Sequence, residues 1–67
     1  MKIKYNNQSL EIDEHLSLSD FVYSQLGDKQ NGVAVAINNT VIPKHNWANT
    51  TIQSNDEILL IKATQGG

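Results

Sequence analysis

The sequence predicts an α+β roll: a mixed sheet of four to five strands with one main helix on one face. Three observations lead there. The chain has 67 residues, 39% of them hydrophobic, which supports a single small core. Apolar residues alternate with polar ones, or run in short blocks, near both ends and in the middle of the chain, as strands do. Only the stretch from Leu18 to Leu26 carries its apolar residues at helical spacing.

The elements follow in order. Lys2-Ile3-Lys4-Tyr5 alternates polar and apolar, and Asn6-Asn7-Gln8 supplies residues that tolerate the positive backbone angles of a tight turn. The returning strand runs through about Ser9, Leu10, Glu11 and Ile12, and Asp13-Glu14-His15 ends it. Ser17 is suited to cap a helix, its hydroxyl accepting from a free N–H, with Asp20 at the acidic position of a short capping box. Leu18, Phe21, Val22 and Leu26 then share one helical face, and Gly27 can take the positive φ that closes a helix. Asp28 to Gly32 is polar and turn-like.

Val33-Ala34-Val35-Ala36-Ile37 is apolar throughout, the pattern of a strand inside the sheet with something packed on both faces. Asn38-Asn39 is a two-residue hairpin turn, and Thr40-Val41-Ile42 returns before Pro43 removes a ladder donor. Lys44 to Asn49 forms a connection containing Trp47, the only tryptophan. Thr50-Thr51-Ile52 adds a short extended piece, Asp56 marks a turn, and Ile58-Leu59-Leu60-Ile61 is the last strong strand. Two hairpins flanking one helix, with the first and last strands free to pair in parallel, describe the β-grasp (ubiquitin-like) arrangement. The domain is expected to cover residues 1–62, followed by a flexible tail, 63–67, ending in Gly-Gly.

Composition narrows the function. No Cys is present, so the chain by itself builds no disulfide, thiolate nucleophile or thiolate metal site. Five Lys, no Arg and seven acids give a net charge of −2, and the lysines are scattered, which argues against a nucleic-acid partner. No apolar run approaches the roughly 20 residues of a membrane span, and Met1-Lys2 leads into alternating sequence rather than a signal-peptide core, so no membrane contact and a cytoplasmic location are expected. So small a core leaves little room for a catalytic pocket, and a carrier or binding protein is favoured over an enzyme.

Chemistry is concentrated at the end of the chain. Ala63 to Gly67 leaves the last strand directly and can extend about 17 Å, at about 3.4 Å per residue. Gly66 and Gly67 lack a Cβ and can enter a narrow channel in a partner. The terminal carboxylate is ionised at neutral pH and its carbon is a poor electrophile. Joining it to the phosphate of AMP supplies a leaving group, after which a sulfur, oxygen or nitrogen nucleophile can attack Gly67.

Val35-Ala36-Ile37-Asn38-Asn39-Thr40-Val41-Ile42-Pro43-Lys44, followed by Trp47, Asp56-Glu57-Ile58 and the terminal Gly66-Gly67, resembles the ThiS family of sulfur carriers in thiamine biosynthesis. The likeness spans the chain. It departs from the family's pattern at Lys44, where Arg is usual, and at Asn55, where Gly is usual; Asn tolerates the left-handed angle such a turn requires. The resemblance implies a carrier rather than an enzyme, with no cofactor of its own. Gly67 would be adenylated by an E1-like adenylyltransferase (ThiF type) that uses ATP and Mg²⁺, then converted to a thiocarboxylate with sulfur from a donor protein or sulfide. The product would donate sulfur to thiazole synthase (ThiG type), with Thr64, Gln65 and Gly66 recognised in the partners' channels. The small subunit of molybdopterin synthase and a ubiquitin-like protein modifier share this tail chemistry, and a plain interaction module would function without it.

Other residues have simpler readings. His15 and His45 lack ligand spacing and read as surface or turn residues rather than a metal site. Ser17 and Asp20 could be assembled with His15 into a nucleophilic site, but a helix cap accounts for both. Trp47 is expected to anchor the core rather than a partner. Leu59 and Ile61 point opposite to Ile58 and Leu60, so one pair faces the helix and the other the open side of the sheet. With Val33 and Val35, or Ala34 and Ala36, beside it, that open side is a possible docking face, the alternatives being cover by a loop or by self-association.

Overall fold

The computed structural model describes residues 1–28 and 32–62. In chain order these form β1 (Lys2–Tyr5), β2 (Gln8–Glu11), α1 (Leu18–Leu26), β3 (Val33–Ile37), β4 (Thr40–Val41), a 3₁₀ helix (Lys44–Asn49) and β5 (Glu57–Lys62). The strands make one sheet in the order β2-β1-β5-β3-β4. β1 and β5, the two ends of the domain, pair in parallel at its centre, while β1–β2, β3–β4 and β3–β5 are antiparallel. This is the β-grasp roll expected from the element order.

The hairpins close where the sequence places asparagine pairs. Tyr5 pairs with Gln8 around Asn6-Asn7, and Ile37 pairs with Thr40 around Asn38-Asn39. All four asparagines have positive φ (48° and 70°, 50° and 69°), the backbone of a type I′ turn, whose twist matches that of the strands. Asn55 adopts φ 70° in the turn before β5, a left-handed angle that Asn tolerates.

The helix begins and ends as its sequence indicates. Ser17 Oγ accepts from the Asp20 N–H at 3.0 Å, the expected helix cap. Gly27, at φ 59°, ends the helix by donating its N–H to the Tyr23 carbonyl. One face of α1 buries Leu18, Phe21 and Val22 against Ile3, Val35 and Ile58 from the sheet's inner face, with Trp47 and Ile52 completing the core. Tyr5 meets Phe21 edge to face, ring centroids 5.1 Å apart.

Some local expectations change. The connection from Lys44 to Asn49 is a 3₁₀ helix. It swings Trp47 into the core, where the indole N–H donates to the Ile42 carbonyl at 2.9 Å. Thr50 to Ile52 is the short extended piece, joined to the residues before the helix by one antiparallel bridge, Ser17 to Thr51. β4 ends at Val41, with the Ile42 N–H still donating to the Val35 carbonyl. β3 is not covered on both faces: Val35 is buried, whereas Ala34 is exposed among the described residues. Its unbroken apolar run arises because the outer positions are alanines, too small to need cover and apolar nonetheless. The expected turn residues Lys29 to Asn31 and the tail 63–67 lie outside the described residues.

Candidate functional site

Period-two alternation along each strand separates the two faces of the sheet. Ile58 is buried and Leu60 half-buried on the inner face, so Leu59 and Ile61 point outward, 44% and 52% exposed. The strand register places Ala36 between Leu59 on β5 and Val41 on β4, and Ala34 beside Ile61. Val41 is 67% exposed. The result is one uncovered apolar surface across three strands: the row Val41–Ala36–Leu59 and, next to it, Ala34–Ile61.

The rest of the outer face is charged. Lys2 stands opposite Glu11, and Lys4 opposite both Ser9 on β2 and Glu57 on β5. A shallow depression lies where the two halves meet, lined by Lys4, Ala36, Asn39, Glu57 and Leu59. An apolar patch with a rim of mixed charge has the composition of a protein–protein contact. Tyr23, the remaining large exposed hydrophobic side chain, is on α1 and not on the sheet.

The apolar surface adjoins the end of the domain. Ile61 is two residues from Ala63, the first of the five residues carrying the terminal glycines. Of the site residues expected from sequence, Leu59 and Ile61 are brought together on this face; Thr64, Gln65, Gly66 and Gly67 lie outside the described residues. The choice left open beside them resolves to Ala34 and Ala36, because Val33 and Val35 turn toward the helix. Val41 was missed, yet counting outward from the Asn38-Asn39 turn pairs it with Ala36 and would have found it.

Elsewhere the chemistry is sparse. Among the described residues no three His, Cys, Asp or Glu side chains group as metal ligands, and no helix is long and apolar enough to cross a membrane. His15 sits in a turn at φ 65° and His45 is exposed on the 3₁₀ helix. The Lys44 ammonium lies 5.9 Å from the centre of the Trp47 ring, a cation–π distance. Lysine therefore still places a cation over this tryptophan, although it lacks the flat guanidinium of arginine.

Similarity to known proteins agrees with this geometry. The ThiS family model matches residues 3–67. The sulfur carrier protein ThiS of Escherichia coli (strain K12) is 33% identical over 67 residues, covering 100% of both chains. The crystal structure of a thiamine biosynthesis protein (ThiS) from Geobacter metallireducens superimposes with a TM-score of 0.86 at 20% identity, covering 100% of both chains. Its solution NMR structure gives 0.81 at 20% identity, covering 100% of this chain and 88% of that one. Those two likenesses bear on the fold. With the family model running through the terminal glycines and a relative matched from end to end, the chain belongs to the ThiS family.

Proposed function

We propose that the protein carries sulfur for the thiazole of thiamine as a thiocarboxylate on Gly67. Family membership makes the chain a carrier and not an enzyme. The terminal carboxylate oxygen attacks the α-phosphorus of ATP, held with Mg²⁺ by a ThiF-type adenylyltransferase, and pyrophosphate leaves. A sulfur nucleophile then attacks the Gly67 carbonyl carbon and expels AMP, so one carboxylate oxygen is exchanged for sulfur. At a ThiG-type thiazole synthase the sulfur passes to the forming thiazole, and oxygen returns to the carbonyl. Thr64, Gln65 and Gly66 are the residues recognised in the partners' channels.

The observation that carries this reading is the uncovered apolar face at the base of the segment ending in Gly66-Gly67. A partner that binds Leu59, Ile61 and Val41 holds the domain next to the place where that segment leaves β5. About 17 Å of extended chain then delivers the carboxylate to a site away from the docking contact. Reaction chemistry is supplied by the partner, and the domain supplies recognition and reach.

Intact mass after incubation with the adenylyltransferase, Mg-ATP and sulfide tests the proposal. A gain equal to replacing one oxygen by sulfur is expected in the full chain and not in a chain lacking Gly66 and Gly67. An unchanged mass with a partner active on its own carrier refutes it and leaves a noncovalent interaction module.

A further inference from the structure

The two hairpin turns use their asparagines unequally. In each pair the side chain of the first is tied to β5 or the residue before it. Asn6 Oδ1 accepts from the Leu60 N–H at 2.9 Å; Asn38 Oδ1 accepts from the Glu57 N–H at 3.0 Å, and its Nδ2 donates to Asp56 Oδ1 at 3.0 Å. The second asparagines, Asn7 and Asn39, are exposed, and their side chains make no hydrogen bond among the described residues. At φ 70° and 69° they occupy the turn position that glycine fills best. The turns need the backbone angle at these residues and not the amide.

Both amides border the same recess on the outer face of the sheet. Lys4 and Asn7 line one side, Ala36 and Asn39 the other, with Glu57 and Leu59 between them. Its volume is about 170 Å³, below the roughly 300 Å³ at which small-molecule sites begin, and suits side-chain ends of a protein partner. Lys4 and Glu57 stand opposite each other on β1 and β5, yet neither side chain makes an ion pair or hydrogen bond among the described residues. Attraction between exposed opposite charges is slight in water, so a partner that draws these two apart gives up little. Leu59 belongs both to the recess and to the apolar row Val41–Ala36–Leu59, so a partner covering the row also covers the two charges. It must then match them, because like charges brought together in an interface are strongly unfavourable.

We propose that this recess is the polar specificity site of the docking face: the adenylyltransferase sets an acidic side chain against Lys4 and a basic one against Glu57. The Asn7 and Asn39 amides, each both donor and acceptor, complete the hydrogen bonding of that pair. The apolar row supplies contact area, and the order of the two charges fixes orientation. The identity of the partner rests on the carrier reading above.

Calorimetric titration of the full chain and its variants into the adenylyltransferase tests this. Lys4→Glu and Glu57→Lys are each expected to raise Kd about tenfold or more. The double variant Lys4→Glu/Glu57→Lys keeps the net charge of −2 with the two charges exchanged, and is expected to bind at least as weakly as either single variant. Parental affinity in the double variant would mean that net charge alone steers association, and overturns the proposal. Asn7→Gly/Asn39→Gly is expected to keep or raise the thermal midpoint while raising Kd about tenfold. A lowered midpoint, or a parental Kd, overturns the role of the amides. If the unsubstituted chain binds and exchanges oxygen for sulfur while the single charge variants bind as it does, the recess is refuted and the carrier reading stands. An unsubstituted chain that does not bind the enzyme overturns both.

Discussion

Adjacent residues of β5 should divide cleanly between stability and binding. Leu59 and Ile61 each leave about half their surface in water, 44% and 52%, whereas Ile58 between β1 and β3 is 2% exposed. Full burial of a Leu or Ile side chain is worth about 1.5–3 kcal/mol, so burial of the exposed half by a partner contributes about 1 kcal/mol per residue. The double variant Leu59→Ala/Ile61→Ala should therefore lose about 2 kcal/mol of binding, about 30-fold in Kd. Its thermal midpoint should change little, since surface truncations usually stay within about 0.5 kcal/mol. Ile58→Ala should do the reverse. It should cost about 2–5 kcal/mol of folding free energy, in a domain whose total stability at about 0.05–0.15 kcal/mol per residue is only about 3–10 kcal/mol. Calorimetric titration of each variant into the adenylyltransferase, paired with thermal unfolding, measures both quantities. An unchanged Kd for the folded double variant would refute the assignment of this face as the docking surface.

Three further outcomes follow from particular contacts. Trp47→Phe removes the indole donor and leaves the Ile42 carbonyl without that partner; a loss of about 1–3 kcal/mol is expected, read as a lower urea midpoint at unchanged m. Gly27→Ala adds a Cβ that meets nothing within 4 Å, so its cost is the backbone strain of a side chain at φ 59°, about 1–3 kcal/mol. A thermal midpoint equal to or above the parent's would contradict that. Burial raises the Tyr5 phenol above its ordinary value of 10.0. The folded state thus holds this proton more tightly than the unfolded chain, so the associated stability is intact below pH 10.0 and is lost as pH rises through the folded value. Urea midpoints measured into the alkaline range should fall more steeply for the parent than for Tyr5→Phe, and parallel curves would refute the assignment.

Local signals carried most of the fold because each stood in a short stretch of chain. Ser17 and Gly27 bound the helix through one side-chain acceptor and one positive φ, and both properties belong to single residues. The paired asparagines place the hairpins for the same reason: the left-handed backbone they tolerate is an intrinsic preference. The 3₁₀ helix from Lys44 to Asn49 was less visible, since no apolar period marks six residues whose single buried side chain is Trp47.

By itself the sequence determined the element order, the helix limits, the two turns, the alternation along β5 and the Gly66-Gly67 ending. Tertiary structure decided which of the two alternating sets faces the helix. A strand's period separates two faces without naming them, and only packing against Phe21 and its neighbours turns Ile58, Val35 and Ile3 inward. Structure also joined Val41 to Leu59 through Ala36, and Asn6 to Leu60 across 54 residues. Such contacts arise from strand order and register, which are properties of the assembled sheet and of no local stretch of the chain.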